Sequence, residues 1–250
     1  MNTATFDFSD AAVVVTGGTS GIGNAIATSF ADAGARVTIT GTRPTAGAYD
    51  DIDLDRFAYH QLEMTEPESV DRFVASIDRL DVLVNNAGAN FPGGRDEWEP
   101  ATFAAAIQLN LNGPMQLTTG CRGLLAASTL HGGASVVNIV SMSAFRTVPL
   151  VPGYSSAKAG LVTLTGNLAR LWATDGIRVN AVAPGVIATR MTAPLEVLPE
   201  LRDAELAHTP MGRFGSPTEV AAAVAFLSSS AAGYITGHTL AVDGGYLVGC

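Results

Sequence analysis

The chain has 250 residues, 47% of them hydrophobic and 15% charged, enough length and apolar content to bury one sizeable core. A formal net charge of −9 excludes a polyanion as natural partner, so no nucleic-acid role is expected. No apolar run approaches the roughly 18 residues of a membrane span, and Met1–Ala12, with Asp7 and Asp10, lacks the basic and apolar regions of a secretory signal. The expectation is a cytoplasmic protein that spans no membrane. Cys121 and Cys250 make neither a disulfide framework nor a thiolate metal site, and the four histidines are dispersed, so no metal is expected.

In chain order, Val13-Val14-Val15 reads as a strand, Gly17, Gly18, Gly21 and Gly23 as a loop, and Ile22, Ile26 and Phe30 as one face of a helix. Arg36–Thr40 and Phe57–Leu62 follow as strands, then Thr65-Glu66-Pro67-Glu68 supplies a helix start, with the helix running to about Arg79. The pattern continues with a strand at Val82-Leu83-Val84 and a helix around Phe103–Ala127. A strand at Ser135–Val140, a helix through Lys158–Ala173 and a strand at Arg178–Ala183 come next. Ser216-Pro217-Thr218-Glu219 opens a last helix and Thr239–Val242 closes the series. Strands alternating with helices predict an α/β fold: a doubly wound parallel sheet of about seven strands, helices on both faces, in one domain over 1–250.

The loop Thr16–Gly23 follows the first strand and opens the first helix, the place where a dinucleotide pyrophosphate rests on backbone N–H groups and the positive helix end. Its spacing, Gly17-x-x-x-Gly21-x-Gly23, departs from the commoner Gly-x-Gly-x-x-Gly, and taken alone it is also compatible with a structural turn. Tyr154 and Lys158 stand four residues apart, one helical turn, on the same face. A free tyrosine, with pKa about 10, is a poor base near neutrality, and an adjacent ammonium favours its phenolate. Ser141 lies thirteen residues before Tyr154, just past the apolar strand 136–140, with Ser143 as a nearby rival.

With Asn85-Asn86-Ala87-Gly88 and Tyr154-Ser155-Ser156-Ala157-Lys158 added to the glycine loop, the chain resembles the short-chain dehydrogenase/reductase family from its first strand to Asp243-Gly244-Gly245. It is similar to the single-domain members of about this length, such as 3-oxoacyl-acyl-carrier-protein reductases. The resemblance implies hydride transfer between a nicotinamide and a carbonyl or secondary alcohol, with Tyr154 as acid/base and Lys158 as its partner. Ser141 would then hold the substrate oxygen, and Asn110 would hold a water that connects Lys158 to solvent, Asn112 being the alternative. It further implies that Gly17, Thr19, Ser20, Gly21, Ile22, Gly23, Asn86, Ala87 and Gly88 cradle the cofactor, and that Pro184, Gly185, Ile187 and Thr189 meet its carboxamide. Glu63 and Met64 would flank adenine.

At the end of the second strand, Gly41, Thr42 and Arg43 occupy the place where an acid would accept the ribose 2′-OH of NAD. The missing acid and the nearby arginine lean toward NADP over NAD. Asn90, Phe91, 144–150 and 191–208 are expected to wall the substrate pocket, with 191–210 as an irregular lid because of Pro194, Pro199 and Pro210. Arg146 is either a contact for an acidic substrate group or a surface arginine. The resemblance also implies a homotetramer, since relatives are usually tetramers, with Ala225-Phe226-Leu227 and Tyr246-Leu247-Val248 suited to a subunit interface, packing within one subunit being the alternative. Two other classes remain open: an epimerase or dehydratase using the same Tyr/Lys pair, and a non-catalytic cofactor-binding protein.

Overall fold

In the computed structural model, which describes residues 5–50, 52–91, 94–193 and 198–249, alternating apolar and β-branched segments form seven strands. They are β1 (Ala12–Val15), β2 (Arg36–Gly41), β3 (Ala58–Gln61), β4 (Val82–Asn85), β5 (Ala134–Ile139), β6 (Ile177–Pro184) and β7 (Thr239–Val242). All pair in parallel, in the order β3-β2-β1-β4-β5-β6-β7. The order reverses between β1 and β4, and a sheet of this kind places ligands outside its strand carboxyl ends at such a switch point.

The described helices are α1 (Gly21–Asp32), α2 (Pro67–Ala75), α3 (Pro100–Ile107), α4 (Gly113–Gly120), α5 (Arg122–Ala126), α6 (Pro152–Trp172), α7 (Pro199–Ala207) and α8 (Pro217–Ser228). Successive side chains of a strand face opposite ways, and the sheet sorts its own accordingly. Val13, Val15, Val82 and Val84 pack with Ile26 and Phe30 of α1 and Val224 and Leu227 of α8. Val14, Leu83 and Val136 pack on the other face with Val70 and Phe73 of α2, Leu117 of α4 and Leu168 and Trp172 of α6. No described helix is long and apolar enough to cross a membrane.

A buried polar chain ties α6 to the sheet. Asn85 Nδ2 donates to Thr118 Oγ1 and to Asn138 Oδ1, both at 2.8 Å, and Asn138 Nδ2 donates to Thr165 Oγ1 at 2.9 Å. These bonds pair the network's polar atoms except Asn85 Oδ1, which is buried without a partner, and they fix one lateral position for the long helix.

Several expected boundaries shift, each for a local reason. Thr65 does not cap α2: its hydroxyl bonds Glu63 Oε1 at 2.8 Å, Glu66 takes the cap position, and Pro67 starts the helix. That helix stops at Ala75 rather than Arg79, with the Ser76 hydroxyl bonding the Phe73 carbonyl and Arg79 pairing with buried Asp81 at 3.0 Å. The single helix expected over 103–127 starts at Pro100, passes through a π turn at Gln108–Asn112 and breaks at Cys121. Pro199 begins α7 instead of preventing helix, because proline in the first turn forfeits no intrahelical bond. Pro194 lies outside the described residues. At Ser216 both arms of the expected capping box form, Ser216 N to Glu219 Oε2 at 2.8 Å and Glu219 N to Ser216 Oγ at 3.3 Å.

Candidate active site

The glycine loop leaves β1 with Gly17 and Gly21 at φ of 64° and 53°, a left-handed backbone that suits glycine. Thr16 Oγ1 accepts the N–H groups of Asn86 and Ala87 at 3.0 and 2.9 Å, and Asn86 Nδ2 returns a bond to Thr16 O at 2.9 Å. The ends of β1 and β4 are thereby interlocked. A Cβ on Gly23 would collide with the Gly17 carbonyl and the Asn86 amide, so the close packing of loop and helix requires glycine there. Ser20, the N-cap of α1, gives it no side-chain bond, which leaves first-turn N–H groups for a ligand. Thr19 is buried and Ile22 packs on the core beneath the loop. A Cβ built on Gly21 would touch Thr189 Cγ2 at 3.5 Å, so the segment after β6 faces the glycine loop across a narrow gap. Pro184 ends β6, Gly185 N bonds Val242 O at 3.0 Å, and Ile187 is buried. This cradle fits a dinucleotide.

Beside it, Gly41 ends β2 beneath the Tyr49 hydroxyl. Tyr49 accepts the Arg43 N–H at 3.1 Å, and the Arg43 guanidinium lies 4.8 Å from the centre of the Tyr49 ring while bonding the Ala48 carbonyl. Burial raises the Tyr49 hydroxyl, but bonds involving Arg43, Tyr59, Thr19 and Thr42 outweigh it and leave the group below the usual tyrosine range. A surface cavity of about 430 Å³ borders Thr42 and Glu63. Met64 turns its side chain into the core with Leu62 and Leu117. Asn86 likewise spends its amide on the glycine loop.

The proton-transfer cluster forms where β5, the π turn and α6 meet. The Ser141 hydroxyl bears on the Tyr154 phenol and favours its phenolate. Lys158 Nζ is 5.5 Å from the centre of the Tyr154 ring. Ser141 also accepts from Ser143, through the backbone at 3.2 Å and the hydroxyl at 3.0 Å, so the rival serine holds Ser141 rather than replacing it. Asn110 sits in the π turn, an interruption that frees carbonyls and recurs at functional sites. Its Nδ2 donates to Ala106 O of α3 and to Ala89 O in the connection after β4, each at 2.9 Å. Its Oδ1 is buried with no partner. A Cβ on Gly88 would lie 2.5 Å from Asn110 Oδ1 and 3.2 Å from Lys158 Nζ, so both polar atoms converge over that glycine. Asn112, the alternative, donates to Gln108 Oε1 at 3.0 Å and is exposed.

Burial is the main influence on the pair. It pushes the Tyr154 phenol up to about 12, against the Ser141 hydroxyl and with help from the Glu97 charge. It pulls Lys158 down to about 8. As it stands, Tyr154 keeps its proton at neutral pH and is a donor. No group of three or more potential metal ligands occurs among the described residues.

Two residues beside the site gave no signal in the sequence. Glu97 lies in Asp96-Glu97-Trp98-Glu99, which reads as a solvated acidic run, yet it is fully buried beside Tyr154. Tyr49 lies in a polar connection with no periodicity to mark it. Arg146 stacks 4.9 Å from the Tyr246 ring, and Tyr246 donates to Glu205 Oε2 of α7 at 2.8 Å, so Arg146 is engaged with the C-terminal segment.

A family model described as enoyl-(acyl carrier protein) reductase matches residues 17–247. The chain belongs to the short-chain dehydrogenase/reductase family. It is 36% identical over 250 residues to the galactitol 2-dehydrogenase (L-tagatose-forming) of Cereibacter sphaeroides, covering 97% of each chain. It is 37% identical to the 3-oxoacyl-[acyl-carrier-protein] reductase of Vibrio cholerae, over 93% of this chain and 95% of that one. Among solved structures, a 2-deoxy-D-gluconate 3-dehydrogenase candidate from Agrobacterium tumefaciens with bound NADP superposes with a TM-score of 0.86 at 34% identity, over 98% of this chain and 100% of that one. As a short-chain dehydrogenase/reductase the chain is an oxidoreductase acting on alcohol or carbonyl groups, and the epimerase reading is not favoured.

Proposed function

We propose that this single domain reduces a small ketone, or oxidises the corresponding secondary alcohol, with NADP(H), and that Tyr154 exchanges the proton. The observation that carries the reading is the convergence of Ser141 and Lys158 on the Tyr154 ring while Asn110 Oδ1 stands open beside Lys158.

NAD(P) would be held by the loop residues Gly17, Thr19, Ser20, Gly21, Ile22 and Gly23, by Ala87 and Gly88, and by Pro184, Gly185, Ile187 and Thr189. Bound there, the nicotinamide supplies or takes the hydride. In reduction, the Ser141 and Tyr154 hydroxyls hold the substrate oxygen, and Tyr154 gives up its proton as charge develops on that oxygen. Lys158 favours the phenolate so formed. A water between Asn110 Oδ1 and Lys158 Nζ would return the proton and would satisfy the buried, unpartnered Asn110 oxygen. Gly41, without a carboxylate, together with Thr42, Arg43 and Tyr49, suits a 2′-phosphate, and the NADP bound by the Agrobacterium relative is consistent with that choice.

Exposed Phe145 and Leu150 favour an apolar flank on the substrate, and our reading takes 191–210 as the lid. We further propose a cytoplasmic homotetramer. Ala225 and Leu227, considered for its interfaces, are buried within the subunit, whereas Val248 and Leu171 are exposed and available. The test of function is a panel of secondary alcohols and ketones, including galactitol, D-gluconate and a 3-oxoacyl thioester, followed at 340 nm with each cofactor. Turnover of one or more members supports the reading, and cofactor binding with no turnover of any member argues for a binding protein.

A further inference from the structure

Glu97 is fully buried, an uncommon position for a carboxylate, and both of its oxygens are engaged by backbone. Oε1 accepts the N–H of Phe91 at 2.7 Å, and Oε2 accepts the N–H of Tyr154 at 2.8 Å. Phe91 has φ of 46°, a left-handed conformation costly for a bulky side chain, and its bond to Glu97 holds it there. The neighbouring residue repeats the attachment: Trp98 Nε1 donates to Pro149 O at 2.9 Å, just ahead of α6. Gly153 completes the fit, because a Cβ there would press on Ala106 Cβ at 2.9 Å and on Glu97 Oε2 at 3.3 Å. A charged group has been taken out of water to join the wall of the substrate pocket to the first turn of the helix that carries Tyr154.

We propose that Glu97 is a positioning residue for the reaction, its carboxylate holding Tyr154 and the pocket-wall residue Phe91 in one register. The inference rests on the reading of Tyr154 as the proton-exchanging group. It has an electrostatic consequence that a neutral tether would lack. The charged groups bearing on the Tyr154 phenol are Lys158 on its own helix and Glu97 on the connection before α3, with the Ser141 hydroxyl on the β5 side. Burial is the main influence on Tyr154, and on top of it Lys158 favours the phenolate while Glu97 opposes it.

The test is Glu97→Gln beside Glu97→Asp and Tyr154→Phe, each checked for folding by circular dichroism and assayed for oxidation of the fastest panel alcohol with NADP⁺ across pH. The amide keeps one acceptor and loses the charge; the aspartate keeps the charge and shortens the reach. For Glu97→Gln the expected results are a kcat lower by roughly tenfold, NADPH affinity unchanged, and an acidic limb of the kcat profile moved to lower pH by about half a unit or more. Glu97→Asp is expected to lose rate with its limb unmoved, and this serves as the test if the glutamine variant does not fold. A folded Glu97→Gln protein with the wild-type limb position overturns the inference. An active Tyr154→Phe overturns the underlying reading of Tyr154 instead, so the two failures are distinguishable.

Discussion

Lys158 Nζ donates a 2.8 Å hydrogen bond to the carbonyl of Ile139, the last residue of β5 and two residues before Ser141. The cation of the site is thus anchored to the strand end that presents the serine, and it has little freedom to leave Tyr154. The cost is burial, which lowers Lys158 to about 8.

That cost gives a pH-dependent stability. The unfolded lysine titrates near its ordinary 10.5 and the folded one near 8, so between those values the unfolded chain binds more protons and stability rises with pH. Below about pH 8 the penalty is fully present. Lys158→Met removes it at the expense of the Ile139 bond, and should be more stable than wild type at pH 7 by on the order of 1–2 kcal/mol. Urea unfolding at pH 7 and pH 10 checks this: the gap should narrow at the higher pH, while turnover is abolished at both.

Asn110→Ala removes two hydrogen bonds made within and beside the π turn and the open Oδ1 over Gly88. A stability loss of about 1–3 kcal/mol is expected from the unpaired carbonyls. The kcat should fall by roughly tenfold or more if the amide supports proton return, with NADPH affinity little changed. Steady-state kinetics with fluorescence titration measures both.

Gly23→Ala places a methyl group against the Gly17 carbonyl and the Asn86 amide. Overpacking of that kind costs about 1–3 kcal/mol. Since the displaced atoms shape the dinucleotide cradle, NADPH binding should weaken at least as markedly as stability, and calorimetric titration against thermal unfolding compares the two.

Arg43→Ala tests the cofactor preference. Arg43 stacks on Tyr49 at the end of β2, where its charge suits a 2′-phosphate. NADPH should bind about tenfold more weakly and NADH nearly as before, the size of one charge-assisted contact. Equal weakening of both would assign Arg43 to holding Tyr49 alone.

Much of this was legible in the residues. Val13-Val14-Val15 and Val82-Leu83-Val84 are continuous apolar runs because their strands are covered on both faces, and the Tyr154/Lys158 spacing survives intact because one helical turn fixes it. Less legible was anything decided by tertiary packing. The π turn at Asn110 follows from no propensity in Gln108–Asn112, the buried state of Glu97 contradicts its acidic surroundings, and Met64 faces the core because Gly113 leaves room for it. Pro199 misled in the opposite way, since whether a proline starts a helix or prevents one depends on the backbone that follows.

Turnover of Tyr154→Phe, set against the NADPH affinity of the same protein, tests the central claim most directly. The phenyl ring preserves packing and removes only the proton-exchanging hydroxyl. The expected result is a kcat reduced by about 10²-fold or more with the dissociation constant for NADPH within about twofold of wild type. A variant retaining more than about a tenth of the wild-type rate would contradict the assignment of Tyr154 as the acid/base.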